Sequence, residues 1–242
     1  NYWAGLFLSN VGSWMQTVAQ GWLVLRLSNS AFVLGLVAFA GSIPSMLLAP
    51  LAGVAADRYD RRRILLATQS VQMACALVLA AATFWRFASV PLVAAVAIVN
   101  GAANALTTPS HQSLFLNLVG REDLMNAIAL NSMQFNLSRV IGPMLAGFAI
   151  AATGETGCFL LNAVSFVAIL IPLASLPKLP RASGRSRGAW IDLRIGLRFA
   201  GRDPLLPRLL AITAALAVFG TPAVTLAPLF AVGEQVDFSA HT

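Results

Sequence analysis

Charge is what this sequence has least of. Only 10% of its 242 residues are Asp, Glu, Lys or Arg, where a soluble globular chain carries roughly 25%. With 58% hydrophobic residues and a mean hydropathy of +0.77, that shortfall excludes an ordinary water-soluble globule. So much apolar surface needs a partner or a bilayer to cover it. Acids are the scarcer sign, 9 against 16 bases, and none is expected deep within the first six apolar runs. Cysteine is nearly missing. Cys75 and Cys158 each sit inside an apolar run, which excludes a disulfide framework and leaves core packing. No His or Cys pair has metal-ligand spacing, and there is no phosphate loop and no nucleophile–base set. No cofactor, metal site or catalytic residue is therefore expected, and an intramembrane enzyme is disfavoured. A basic leader and an initiator methionine are also lacking. With a first run too long for one, no cleavable signal peptide is expected; a chain that opens almost inside an apolar run reads as a fragment.

What is present is a succession of charge-free runs, each near the ~20 apolar residues that span a bilayer as a helix. They are Tyr2–Leu25, Leu27–Ala56, Ile64–Trp85, Phe87–Gly120, Leu124–Gly154 (interrupted only by Arg139), Thr156–Pro177 and Leu209–Gly233. Helices are expected at about 2–26, 31–56, 62–86, 90–118, 124–152, 156–176 and 205–231. The class is all-α integral membrane. Residues 1–176 read as an N-terminal six-helix bundle, 177–204 as a cytoplasmic basic linker, 205–231 as a seventh helix that starts a second bundle, and 232–242 as a truncated tail. Within the linker, PKLPRASGRSRG (177–188) reads as a flexible stretch. Residues 189–201 read as a short helix, with Arg194, Arg198 and, just beyond it, Arg202 on one face and Trp190, Leu193 and Leu197 on the other. That helix suits either the membrane surface or the protein's own cytoplasmic side. Glu122 and Asp123 are placed to cap the fifth helix.

The basic residues are segregated. With the N-terminus cytoplasmic, Arg26 and Arg86 fall outside, Arg139 falls within a span, and the rest of the 16 fall inside. The positive-inside rule accounts for this better than a nucleic-acid surface does, and it predicts a multi-pass protein of the inner (plasma) membrane.

Uncharged polar residues recur on faces of three spans: Asn10, Gln16 and Gln20; Asn100, Asn104 and Thr108; Asn131, Gln134 and Ser138. Polar groups are costly in lipid, so these faces point to the bundle interior or a wet cavity. One reading is a substrate path; the other is interhelical hydrogen bonds. Trp14 and Trp22 suit ligand stacking or interfacial anchoring. His111, beside Pro109, suits proton handling or a structural role. Arg139 lies about 20 Å along its helix at 1.5 Å per residue, near mid-bilayer, where an arginine costs roughly 2.5–3.5 kcal/mol on insertion scales. Either it meets a substrate or coupling group, or it pairs structurally.

The densest charge is the loop between the second and third spans, Gly53–Arg63, GVAADRYDRRR. So short a loop forces an antiparallel hairpin. Gly53, one turn before Asp57, can admit a second helix, and Asp57 can meet a helix N-terminus. Alternatively the cluster only sets topology. The pattern Gly53-x-x-x-Asp57-Arg58-x-x-Arg61-Arg62 resembles the loop 2–3 signature of the major facilitator superfamily, with Asp60 standing at that signature's second glycine. Trp14-Met15-Gln16-x-x-x-Gln20-x-Trp22 and Arg121-Glu122-Asp123-Leu124-x-Asn126-Ala127-x-Ala129-Leu130-Asn131-Ser132 are similar to its enterobactin-exporter-like branch. Ser138-x-x-x-Gly142-Pro143-x-x-Ala146-Gly147 resembles the antiporter signature, with Ser138 and Ala146 in place of glycines. The arginine that many drug–proton antiporters carry in the fourth helix is Ala97 here, ahead of Asn100-Gly101.

The resemblance runs to about Phe230. It implies the superfamily fold, with six helices and the seventh of an expected twelve, the remaining half being a partner in function. It implies a secondary active transporter, a proton-coupled exporter of amphipathic small molecules of drug or siderophore type. Asp57 would latch the cytoplasmic side with Gly53, Arg58, Arg61 and Arg62 around it. Ser138, Gly142, Pro143, Ala146 and Gly147 would limit leakage. Arg139, Gln16, Gln20, Asn100, Asn104, Asn131 and Gln134 are candidates for substrate or coupling. An importer of the same fold, and a non-transporting scaffold or sensor, remain the alternatives.

Overall fold

A computed structural model describes residues 2–118 and 123–176, together with Arg208 and Ile212; the side chains of Pro50, Val54, Asp57, Arg58 and 115–118 are not among those described. The chain divides after Ala182 into two units. The architecture below belongs to the first. In the second, Arg208 and Ile212 are helical and exposed. The expected linker and tail, and the seventh helix apart from those two residues, lie outside the described residues.

Helix and short turns account for all of the first unit that is described. The elements are α1 (Tyr2–Ser28), α2 (Ala31–Arg58), α3 (Arg61–Phe84), α4 (Val90–Leu118) and α5 (Leu124–Ser175). Local chemistry sets the joints. Asn29 adopts φ 47°, and the Ser30 hydroxyl then caps α2 by accepting from the Val33 amide at 3.4 Å. Only Tyr59 and Asp60 separate α2 from α3, and the Asp60 carboxylate caps α3 by accepting from the Arg62 amide at 3.0 Å. The family-atypical aspartate is thus an N-cap. Asp123 stands at the N-cap position of α5 but makes no side-chain cap bond, against the capping expected of it.

α5 corresponds to the expected fifth and sixth helices. Straight, its 52 residues would reach about 78 Å at 1.5 Å per residue, more than twice a ~30 Å hydrocarbon core. Gly154, at φ 70° and ψ −173°, is a conformation that glycine alone adopts freely. It breaks the element into limbs 124–153 and 155–175, so one residue makes the turn between the expected helices at 124–152 and 156–176. α2, α3, α4 and α5 are long and apolar enough to cross a membrane. α1 has the length, at 27 residues, but falls short in apolarity because it carries Ser9, Asn10, Ser13, Gln16, Thr17 and Gln20. That helix is flanked by protein: Ser9 and Gln16 are buried.

α1 runs parallel to the first limb of α5 and antiparallel to the second. Asn10 meets Gln134 and Trp14 meets Arg139. Gly5 meets the Ala168 carbonyl, Gly12 meets Asn162 and Ser165, and Arg26 meets Glu155. Small residues make these approaches possible in lipid, where burial of apolar surface drives nothing between helices. Pro172 adds to the effect. It has no N–H to offer the Ala168 carbonyl one turn back, and that carbonyl is the one lying on Gly5. α3 lies antiparallel along the second limb, with Thr156 donating to Thr83 at 2.9 Å near one end and Arg62 on Leu173 at the other. α2 packs chiefly on α4, where Gly41 and Gly101 touch and Ser45 donates to the Gly101 carbonyl at 2.8 Å. The core joins Tyr2, Leu6, Leu65, Leu114, Phe166, Ile169 and Leu173. Phe32, Met46 and Phe148 are exposed apolar side chains on α2 and the first limb of α5, a surface suited to a non-aqueous surround.

Candidate transport site

At the end of the bundle marked by the α2–α3 turn, Arg61 and Arg62 are committed to backbone carbonyls. Arg61 Nε donates to the Ala56 carbonyl at 3.2 Å. Arg62 Nε donates to Leu173 at 3.0 Å, and its second nitrogen reaches the Ala174 carbonyl. Last-turn carbonyls lack the usual i+4 donors; the Leu173 carbonyl also accepts from the Leu176 amide at 3.4 Å, and the Arg62 guanidinium closes off the end of the helix. Arg63 is exposed and lies 3.9 Å from Asp60. The backbones of Asp57 and Arg58 end α2, while their side chains lie outside the described residues. The close approach expected at Gly53 does not occur among the described residues: a Cβ there would meet nothing within 4 Å.

The antiporter-like motif divides by face. Ser138, Gly142 and Ala146, at fourfold spacing, are buried. Ser138 donates to the Gln134 carbonyl at 2.7 Å and reaches Phe7 of α1 at 3.5 Å. A Cβ on Gly142 would stand 2.5 Å from Trp14 Cβ and 2.9 Å from the Val11 carbonyl. Gly147 has nothing within 4 Å, so its share of the expected tight packing is not made within this unit. Pro143 is half-buried on the flank.

This seam gathers most of the polar candidates. Asn10 Nδ2 donates to Gln134 Oε1 at 3.1 Å, and Gln134 Nε2 donates to Asn131 Oδ1 at 3.2 Å. Gln16 accepts from Asn162 Nδ2 at 2.6 Å, and Ser165 donates to Asn162 Oδ1 at 3.1 Å. Gln20 is half-buried on the same helix and joins neither set. Arg139 is not enclosed. It is exposed on the first limb, with its guanidinium carbon 5.6 Å from the Trp14 ring centroid. Trp14 meets Phe135 edge-on, centroids 6.0 Å apart at 68°. Trp14 is thus a mid-helix aromatic packed on Phe135 and Arg139.

The α4 candidates stand apart from that seam. Asn104 and Thr108 are exposed, and with Ser45 and Gln112 they line an open cavity of about 300 Å³ between α4 and α2. Asn100 is half-buried one turn away. His111 is structural in its contacts. Its Nδ1 lies 2.6 Å from the Tyr2 hydroxyl and its Nε2 lies 3.2 Å from Gln69 Nε2, which ties α1, α3 and α4 together.

One residue escaped notice in the sequence. Glu155, first in the second limb of α5, has a side chain only 6% exposed, and Oε2 lies 3.2 Å from Arg26, itself 56% exposed. Its Oε1 is buried without a partner among the described residues. The available signal was sign: Glu155 is the lone acid between Asp123 and the linker, and Arg26 one of two arginines expected outside.

The geometry is that of a membrane bundle with a polar seam, and known proteins share its sequence. Over 190 residues, 76% of this chain, it is 30% identical to the staphyloferrin A transporter of Staphylococcus aureus, covering 48% of that protein. Over 169 residues it is 30% identical to the enterobactin exporter EntS of Shigella flexneri, covering 69% of this chain and 40% of that one. Over 209 residues it is 26% identical to the uncharacterized MFS-type transporter YfiS of Bacillus subtilis, 82% of this chain and 48% of that one. The chain spans about half the length of the curated relatives it matches. Residues 1–241 match the family described as transmembrane secretion effectors. The chain is therefore a multi-pass, all-α membrane protein and belongs to the transmembrane secretion effector family of the major facilitator superfamily.

Proposed function

We propose that the complete protein is a secondary active transporter of the inner (plasma) membrane. It exports amphipathic small molecules of drug or siderophore type by alternating access and is driven by the proton gradient. The observation that carries the reading is the α1–α5 seam. Ser138 and Gly142 of the antiporter-like motif bring α5 onto α1 beside the Asn10–Gln134–Asn131 amide chain. Tight backbone contact next to a polar face suits a helix that must seal one state and line a path in another. The relatives' names, an exporter and a transporter, support transport and leave direction to experiment.

In this reading the N-terminus is cytoplasmic, residues 1–176 are the first of two bundles in a twelve-helix protein, and residues 177–204 link them. Asp57, Gly53, Arg58 and Arg62 form a cytoplasmic latch against the second bundle. Gln16, Gln20, Asn100 and Asn104 serve the path or its packing. The test is flux in proteoliposomes holding the full-length protein. Export reading predicts uptake into inside-out vesicles with stoichiometric proton movement in the opposite direction. Flux in the same direction as protons identifies the importer. No flux with any substrate tried, at normal incorporation, leaves the scaffold. Cysteine labelling fixes orientation: an impermeant reagent reaching position 185 from outside intact cells overturns the cytoplasmic N-terminus.

A further inference from the structure

We propose that Arg139 and Trp14 form an anion-recognition site, and that the molecules this protein handles carry a planar oxyanion, a carboxylate or its like, on an aromatic or apolar body. The proposal deepens the transport reading and rests on it for the word substrate.

Arg139 is the midpoint of the limb 124–153, about 22 Å from either end at 1.5 Å per residue. A charge at that depth is costly and is found paired or facing a wet cavity. Among the described residues, ion pairs join Arg26 to Glu155 and Arg63 to Asp60; no carboxylate reaches Arg139. What touches its guanidinium is the Trp14 ring, an attraction that neutralises no charge and accepts no hydrogen bond in the manner of an oxygen. The five N–H donors of the fork are left for an acceptor that arrives from elsewhere. A planar oxyanion fits them two at a time.

The surroundings point to a built site, not a stray cation. Gly142, one turn from Arg139, seats the limb against Trp14 Cβ, so the small residues of the motif set the distance between cation and indole. Phe135 braces the indole from its edge. Gln134, on the same limb, is held by Asn10 and Asn131. A molecule with an anionic head and an aromatic body would find the fork, a ring face and amides on one seam.

The experiment uses the purified full-length protein in detergent and two probes of nearly equal size, 2-naphthoate and 2-naphthamide. Equilibrium dialysis should give a Kd for the anion about tenfold lower than for the amide. Arg139→Gln should bring the ratio to about one. Arg139→Lys, which keeps the charge and loses the planar fork, should keep a reduced preference. Trp14→Phe should weaken both probes alike. A parent without anion preference, as expected if an acid elsewhere in the full chain occupies Arg139, overturns the site. So does a preference that survives Arg139→Gln. Should the Gln variant fail to accumulate, the Lys variant decides: an undiminished preference overturns the proposal, a reduced one supports it. Binding is read without flux, so the two failures separate. Anion preference without transport sinks the export reading alone, and transport without anion preference sinks this one alone.

Discussion

The guanidinium of Arg62, in the first turn of α3, donates to the carbonyls of Leu173 and Ala174 in the last turn of α5. A cation at a helix C-terminus meets both carbonyls that lack i+4 donors and the negative end of the dipole. One loop 2–3 arginine is therefore structural: it ties the start of α3 to the end of α5, 111 residues away along the chain. Arg62→Gln should lower unfolding stability by about 1–2 kcal/mol, since hydrogen bonds from charged donors are worth roughly 1.5–3 kcal/mol and this one is partly wet. Thermal unfolding of the full-length protein in detergent measures it. A Tm equal to the parent's would show the contact to be idle.

Asp60 gives a finer test of the same turn. As an N-cap, its replacement by Ala should cost about 1 kcal/mol, by Gly a few tenths, and by Asn almost nothing. Thermal unfolding of the three variants checks the order. Equal losses in all three would mean that the Asp60 charge, through Arg63, matters more than the cap bond.

The Arg26–Glu155 pair predicts an asymmetry. Glu155 is buried and Arg26 mostly wet. Removing the arginine strands a buried carboxylate; removing the carboxylate frees an arginine that water already reaches. Arg26→Gln should therefore cost more than Glu155→Gln, about 1–2 kcal/mol against under about 1 kcal/mol after discounting for exposure. A double-mutant cycle on thermal stability reads both values, and the reverse order would sink the account.

Two glycines of one motif should part company. Gly142→Ala drives a methyl into Trp14 and the Val11 carbonyl, and overpacking of that kind costs about 1–3 kcal/mol. Gly147→Ala meets nothing within 4 Å and should be neutral or mildly stabilising, by up to about 1 kcal/mol, from helix propensity. Loss of transport in Gly147→Ala at unchanged stability would place that glycine against the second bundle.

Asp57→Asn keeps shape and loses charge. If Asp57 latches the two bundles, transport by the full-length protein should fall sharply while membrane insertion stays normal. Unchanged transport at equal protein level would reduce the loop cluster to a topology signal.

How much of this was legible in advance follows from what each residue's state depends on. Helix spans were readable because charge-free length is a one-dimensional property; α4 begins at Val90 and ends at Leu118, where the runs put it. The polar faces were readable from spacing, but not that Asn10 would bond Gln134 or Gln16 would bond Asn162, since partners depend on which helices adjoin. A short turn at Thr153-Gly154 is legible from the sequence, but not that Gly154 alone makes it, because a turn of one residue needs a positive φ that no pattern announces. Burial of Glu155 escaped for a related reason: a charge at a helix end is usually wet, and its enclosure depends on which helices adjoin. Gly53 and Gly147 were assigned close contacts by motif, yet neither finds one in this unit. The motif records a surface, not the neighbour that covers it.

The grip of Arg62 on the end of α5 bears on mechanics as well as stability. A helix pulled from its last residue unravels from the frayed turn inward, because the terminal carbonyls lack the i+4 donors of the interior. Here that turn is fastened sideways to α3, and α3 is fastened in turn to α4 through Gln69 and His111. Tension arriving from the chain beyond Leu176 is therefore shared among three helices before any one of them can fray. The bundle can be tugged as a whole, the way a strain-relief clamp lets a cable move a plug without parting its wires.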